Sequence, residues 1–261
     1  MMNSNSQLRT AARADLKGRW AEAAMLTFVL LLLMFFVSGI GSVIDLCVFG
    51  PGALNASATL DAQTLLRNQS SGTFSMLLSL LLIPVGWSFN ITFLANHRHE
   101  SDDPFGVGNL FTGYHHFWRV LGTMLLQSIL VSLGTILFAV LLLVGQIVSM
   151  SSVAVLVLCV ACGILAICFA IWMSLSLTLV SFILRDHPEM GIIDILRQSA
   201  RMMDGHKWQY LLLQLSFLGW VLLGILTLFI GLLWVIPYVG QAQVNFYEQL
   251  RDEYAVEKQA E

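Results

Sequence analysis

Few residues in this 261-residue chain have the types and spacing for chemistry, and most of them lie in one polar stretch. Between Asn96 and Phe117 stand His97, His99, Glu100, Asp102, Asp103, His115 and His116. Imidazoles and carboxylates gathered in this way could surround a metal ion. Their spacing matches no zinc pattern, and His97 and His99 do not share a helical face. The stretch therefore reads as a solvated cytoplasmic loop. Cys159 and Cys162 form a CxxC inside an apolar run without a neighbouring ligand or redox partner. With Cys47 and Cys168 they read as small buried hydrophobes. Gly106-x-Gly108 is too short for a phosphate loop, and no serine sits in a nucleophile elbow. No enzymatic activity, metal, cofactor or nucleic-acid partner is expected.

Polar groups inside apolar runs are the second place to look, because ionisable residues at membrane depth usually mark proton relays or ion paths. The runs here contain almost none. Asp45 is the exception, near the end of the first run, where it suits a cap or a solvated side chain. Neutral polar residues do occur: Asn90, Gln127, Gln214, Gln241, Gln243 and Asn245. Gln241 and Asn245 are one helical turn apart just after Pro237, and Asn90 similarly follows Pro84. Asn90, Gln214, Gln241 and Asn245 could form a polar seam lining a path, or simply hydrogen-bond between helices.

The elements that would position these groups follow from composition. The chain is 57% hydrophobic and 11% charged, against about a quarter charged in a soluble domain. It belongs with polytopic membrane proteins, and runs of about 18 or more apolar residues are candidate spans. Residues 5 to 20 suggest an amphipathic helix lying on the membrane, with Leu8, Ala12, Leu16 and Trp20 four residues apart. Spans follow at about 24–48, 74–95 (kinked at Pro84 and Gly86), 118–146 and 153–184. The first is uncleaved, being too long for a signal peptide. Pro51 to Gly72 is polar, holds only Asp61 and Arg67 as charges, and carries glycosylation-like patterns at Asn55 and Asn68. The third and fourth spans are parted by Gln146, Ser149, Ser151 and Ser152.

Asp186, two residues before Pro188, ends the fourth span, because a residue before proline avoids the helical region. An interfacial helix is expected from about 190, with Ile192, Ile193, Leu196, Ala200 and Met203 as its apolar face and Gly205 as its stop. Trp208 to Tyr247 is too long for one span, so two spans turning near Gly231 are expected. Arg and Lys cluster at the N-terminus, near Arg98 and Arg119, and from Arg185 to Lys207, which places both termini in the cytoplasm.

The expected fold is all-α: six transmembrane helices arranged as three hairpins, each preceded by a cytoplasmic interfacial amphipathic helix. An internal repeat supports it. Leu8-Arg9, Ala12-Arg13 and Arg19-Trp20 align with Leu196-Arg197, Ala200-Arg201 and Lys207-Trp208. Ile83-Pro84, Phe93 and Arg98 align with Ile236-Pro237, Phe246 and Arg251. Within a single domain, pseudo-repeats of about 5–98, 105–185 and 190–251 precede an acidic cytoplasmic tail, 252–261. Arg9, Arg13, Lys17, Arg19, Trp20, Asp186, Arg197, Arg201, Lys207 and Trp208 form a basic interfacial collar for anionic lipid headgroups or a docking partner. Cys162, Ala166, Ala170, Ser174 and Thr178 make a small-residue stripe, for packing within the chain, a homo-oligomer or a membrane-protein partner.

Asp186-x-Pro188, Met203-x-Gly205-x-Lys207, Leu215-Ser216-Phe217-x-Gly219-Trp220, Gly231-x-x-Trp234, Pro237-Tyr238 and Phe246-Tyr247 resemble a bacterial integral-membrane family, domain of unknown function nine-seventy-five. Leu16-Lys17-Gly18-x-Trp20 resembles its N-terminal signature. The resemblance implies a bacterial inner-membrane protein with no assigned activity and no catalytic residues to carry over. The expectation is a non-enzymatic scaffold or accessory subunit of an envelope or transport assembly. The alternative is a transporter of a neutral, amphiphilic or peptide-like substrate.

Overall fold

The computed structural model describes residues 4–49, 73–147 and 153–260. The patterns at Asn55 and Asn68, the charges Asp61 and Arg67, and Ser149, Ser151 and Ser152 lie outside them. All regular structure among the described residues is helical. In chain order come α1 (Asn5–Asp15), α2 (Trp20–Phe49), α3 (Thr73–Leu81), α4 (Ile83–His97) and a 3-10 helix, Val107–His116. Then follow α5 (Phe117–Ile147), α6 (Val153–Ser176), α7 (Val180–Asp186), α8 (Ile192–Met202), α9 (Lys207–Leu226) and α10 (Leu232–Ala260).

Five stretches are long and apolar enough to cross a membrane: Trp20–Val48, Phe74–His97, Val107–Val140, Val160–Asp186 and Lys207–Leu226. The last apolar segment divides at Thr227–Gly231, between α9 and α10, and the turn carries left-handed Leu228 and Phe229. The sequence led to six spans, and α10 is the one that falls short. Its charge-free part, Leu232 to Tyr247, is about 24 Å long, less than the roughly 30 Å of a hydrocarbon core. Beyond it come Glu248, Arg251, Asp252 and Glu253.

Each helix ends for a local reason. Pro84 cannot donate to the preceding turn, so α3 and α4 part at Leu82, with Pro84 in the first turn of α4. His187 precedes Pro188 and adopts φ −127°, ψ 68°, which stops α7 at Asp186. Gly18 and Gly205 take φ +86° and +79° in the turns after α1 and α8, a region open to glycine at no steric cost. Thus α1 is shorter than the expected helix over residues 5 to 20, and a turn separates it from Trp20.

The apolar rows of α1 and α8 are covered by protein. Leu8, Ala12 and Leu16 are buried, as are Ile195, Leu196, Ser199, Met202 and Met203. The expected face of α8 therefore shifts: Ile193 is 61% exposed and Ile195 takes its place. The long helices do the reverse, presenting Phe35, Phe36, Leu137 and Leu165 outward.

The described residues fall into two compact units. In the unit of Ala12–Leu121 and Trp220–Gln241, α2 packs on α3 and the 3-10 helix packs on α4. Phe93, fully buried, meets Phe89 and Phe105 edge-on or tilted, and a Cβ at Gly240 would come within 2.9 Å of its ring. Gly113 lets the 3-10 helix approach the interruption in α4, where its amide donates to the Ser88 hydroxyl at 2.7 Å. A Cβ there would lie 2.6 Å from the Pro84 carbonyl oxygen. Gly113→Ala is therefore expected to destabilise by about 1–3 kcal/mol through overpacking. Thermal melting in detergent reads this, and an unchanged midpoint would show that the 3-10 helix is free to move away.

In the unit of Met1–Ala11, Gly122–Gly219 and Ala242–Glu261, α8 packs on α7 and α6. Phe182 stacks on Tyr247, and Tyr210 meets Phe246 at 5.2 Å between ring centroids. The middles of α5 and α6 approach at Gly134, where a Cβ would lie 3.2 Å from the Ala166 carbonyl oxygen. Cys162 and Ala166 of the small-residue stripe face this contact. Ala170 and Thr178 are half-buried and Ser174 is exposed, so the stripe does not bury along its whole length.

Candidate functional site

A polar assembly joins the end of α1 and the turn after it to the end of α4 and to α10. Asp15 is the last residue of α1, Asn96 and His97 close α4, and Gln241 lies one turn beyond Pro237. A chain of hydrogen bonds with one direction links them. Arg19 Nη1 donates to Asn96 Oδ1 at 3.1 Å. Asn96 Nδ2 donates to Gln241 Oε1 at 3.1 Å and to the Asp15 carbonyl at 3.2 Å. Gln241 Nε2 donates to Asp15 Oδ2 at 3.2 Å, and the same oxygen lies 3.0 Å from His97 Nδ1. Asn96 and Gln241 are 1% and 0% exposed, whereas Asp15 and His97 keep their outer edges in contact with solvent.

The run begins on a cation and ends on a carboxylate, so each amide is polarised in the same sense, and such networks strengthen cooperatively. None of these five side chains carries a hydroxyl or thiol. Its two central links are carboxamides, which bind well but do not relay protons. The arrangement is suited to clamping three segments.

An aromatic group stands beside it. Arg13 Nε donates to the Tyr238 hydroxyl at 2.9 Å. Its guanidinium carbon lies 5.3 Å from the centre of the Tyr238 ring and 5.9 Å from that of Trp220. Trp20 meets the Tyr238 ring edge-on at 6.1 Å.

In the other unit, Asp186 accepts the Tyr247 hydroxyl at 2.7 Å. Arg251 lies 4.0 Å from the same Asp186 oxygen and pairs with Glu248. Lys207 stands 3.8 Å above the Trp172 ring and 3.9 Å from Asp204.

The basic collar expected from sequence thus separates into two sets. Arg13, Arg19, Trp20 and Asp186 are drawn into these clusters, and Arg9 is half-buried. Lys17, Arg197, Arg201 and Trp208 are exposed, and Arg197 pairs with Asp194 of its own helix.

The four residues of the expected polar seam do not form one line of bonds. Asn90 Nδ2 donates to the Gly86 carbonyl of its own helix at 3.0 Å, rather than to Gln241. Gln214 donates to the Tyr210 hydroxyl at 2.6 Å, and Asn245 is buried. His97 is not in a solvated loop; it completes α4. Among the described residues no group of three or more His, Cys, Asp or Glu could hold a metal. Cys47, Cys162 and Cys168 are free thiols, and Cys47 and Cys168 are exposed rather than buried.

Sequence reasoning missed Asn96 and the partnership of Asp15. The available signal was an Asn-His pair closing an apolar run, with an acid closing an amphipathic one. Asp45 turns out to be a cap: its carboxylate accepts the Phe74 and Ser75 amides and the Ser75 hydroxyl.

Fold and site together define an all-α protein with five helices long and apolar enough to cross a membrane, clamped by amide and carboxylate bonds. None of the curated proteins and none of the solved structures matches it. Over residues 1–254 the chain matches the family described as protein of unknown function (DUF975), and it belongs to that family.

Proposed function

We propose that this protein is a non-enzymatic scaffold or accessory subunit of an envelope or transport assembly in the bacterial inner membrane. One observation carries the reading: polar side chains of neighbouring helices close breaks in the apolar helices. The Leu81 carbonyl, at the interruption before Pro84, accepts the Tyr114 hydroxyl at 2.6 Å. The carbonyls of Ser176 and Leu177, where α6 gives way to α7, accept Ser199 and Gln127 at 2.9 and 3.1 Å. Backbone groups left open in hydrocarbon cost several kcal/mol each, so these residues are needed for structure alone.

The architecture proposed with this function has six spans in three related hairpins, α10 supplying the short sixth, with both termini cytoplasmic. The outer repeats have matching local geometry in support. Both α1 and α8 have 11 residues, each is followed three residues later by a left-handed glycine, and Trp20 and Trp208 then stand in the first turn of the next helix. The exposed cations of the collar would face anionic headgroups, each adding about 1 kcal/mol of attraction.

A second reading has one specific support. A cleft of about 620 Å³ between α5 and α6, lined by Leu133, Leu137, Phe138, Cys162 and Phe169, would admit an apolar chain. It favours transport of an amphiphile.

Affinity purification in mild detergent separates the two. A stoichiometric partner is expected for the scaffold, whereas a lone stable protein that moves an amphiphile across liposomes would reverse the order. Labelling a cysteine placed at the exposed Gln259 tests the topology, and reaction from outside the cell would overturn it.

A further inference from the structure

The charged residues that meet α10 fix how far the last hairpin can reach. Arg13 is exposed and donates to the Tyr238 hydroxyl, and its guanidinium carbon stands 5.9 Å from the centre of the Trp220 ring. Asp15 and His97, both half-buried, pair beside Gln241. Charged arginine and aspartate are costly in the middle of a bilayer. The level of Trp220 and Tyr238 is therefore no deeper than the edge of the hydrocarbon. From there α9 runs on by six residues to Leu226, and α10 begins six residues before Tyr238, at Leu232. Each arm is about 9 Å long, against the roughly 30 Å of a hydrocarbon core. The candidate span that opens at Trp20, edge-on to Tyr238, continues to Val48, about 42 Å away. It has the length to cross from this level, and the α9–α10 hairpin does not.

The tip is built for apolar surroundings. Leu226, Leu228, Phe229 and Ile230 are between 60% and 82% exposed. Between Trp220 and Tyr238 no side chain is charged, and Thr227 carries the one hydroxyl. A turn in water recruits Gly, Asn or Asp for left-handed positions, whereas Leu228 and Phe229 hold them here at φ 54° and 67°. Thr227 Oγ1 accepts the Gly231 amide at 3.0 Å and donates to the Gly224 carbonyl at 2.9 Å. The Leu232 amide reaches the Phe229 carbonyl at 3.1 Å. Backbone that ties itself off in this way is what hydrocarbon demands. The two arms touch at the apex, where a Cβ on Gly231 would lie 2.8 Å from the Gly224 Cα.

We propose that the α9–α10 hairpin enters and leaves the bilayer through one leaflet, with residues 226–230 at its tip lying among lipid acyl chains. This rests on the membrane placement proposed above and sharpens it. Both termini stay on one side, and the last pair of helices dips where a full pair would cross. The occupant around the tip is hydrocarbon: a docking surface for a soluble partner carries a polar rim, and this tip has none.

Leu228→Cys, in a full-length chain whose four native cysteines are replaced by serine, is spin-labelled and reconstituted in liposomes. Collisions of the label with oxygen and with a water-soluble nickel chelate read its surroundings. High oxygen and low nickel accessibility is expected, whereas a label on Lys17→Cys, at an exposed position, should meet nickel. Nickel contact at position 228 would put the tip in water and overturn the hairpin. Exclusion of both probes would put protein over the tip and overturn the lipid assignment. In cells, an impermeant maleimide should react with Leu228→Cys only after SDS is added, and labelling from outside would show a full crossing. If Leu228→Cys does not fold, Ile230→Cys is read in the same way. Extraction of the protein by carbonate without detergent would remove the membrane placement itself, while a wetted tip on a membrane-held protein removes the hairpin alone.

Discussion

Gln241→Leu is expected to lower the stability of the folded protein by roughly 2–4 kcal/mol, the sum of one neutral and one charge-assisted hydrogen bond lost in a buried setting. The side chain is 0% exposed, and its two ends serve different partners, Asn96 and the Asp15 carboxylate. Leucine fills nearly the same volume, so the effect isolates the bonds rather than a cavity. Asn90→Leu is the matched control. Among the described residues Asn90 bonds back to Gly86, one turn earlier in its own helix, and its loss should cost less than about 1 kcal/mol. Melting of both variants in the same detergent decides the matter, and equal shifts would remove the clamp from consideration. The comparison also bears on the transport reading, since a path-lining Gln241 would lose activity on substitution while stability stayed put.

Asp45→Ala should have a comparable effect at the other end of the first span. Asp45 is 3% exposed, and its carboxylate takes the amides of Phe74 and Ser75 at 3.1 and 3.2 Å and the Ser75 hydroxyl at 2.7 Å. Those amides belong to the first turn of α3, which has no acceptors of its own. A lost cap costs about 0.5–2 kcal/mol, and the stranded hydroxyl and amides raise the total to roughly 2–4 kcal/mol. Asp45→Asn keeps the shape and one good acceptor, so about half the loss is expected. Gly41, one turn earlier on α2, makes the approach possible: a Cβ there would sit 2.7 Å from the Ser75 Cα. Were Asp45→Ala and Asp45→Asn both to melt with the wild type, the carboxylate would have no part in joining α2 to α3.

The boundaries of helices were legible wherever a single residue forces them. Pro84, Pro188 and Gly205 each act through their own backbone chemistry, and each marks an interruption or a stop in the structure. The family could also be read from the chain, because its motifs lie in contiguous stretches. Burial was less legible. A row such as Leu8, Ala12 and Leu16 has the same period whether it covers lipid or protein, and only the fold decides that it covers protein. For the same reason Ile193 and Ile195 exchanged places as the buried residue of α8. The polar network was hidden for a different cause. Its members come from distant parts of the chain, and nothing local to Asp15 or to Asn96 announces the other. Gln241 stands out because it is polar within an apolar run, yet its partners Asn96 and Asp15 lie 145 and 226 residues away along the chain.

The network also imposes an order in time. Asp15 reaches His97 across 82 residues and Gln241 across 226. At a synthesis rate of roughly 5–20 residues per second, the first partner emerges about 4–16 s after Asp15 and the last about 11–45 s after it. Before α9 and α10 are made, the N-terminal segment makes its polar contacts to the end of α4 and to Asp102, and the amide that completes the clamp arrives with the final helix. Biogenesis of this protein therefore has two closures, an early one within the first hundred residues and a late one. A chain released before α10 is made would keep its first helices but leave the opening segment half-fastened.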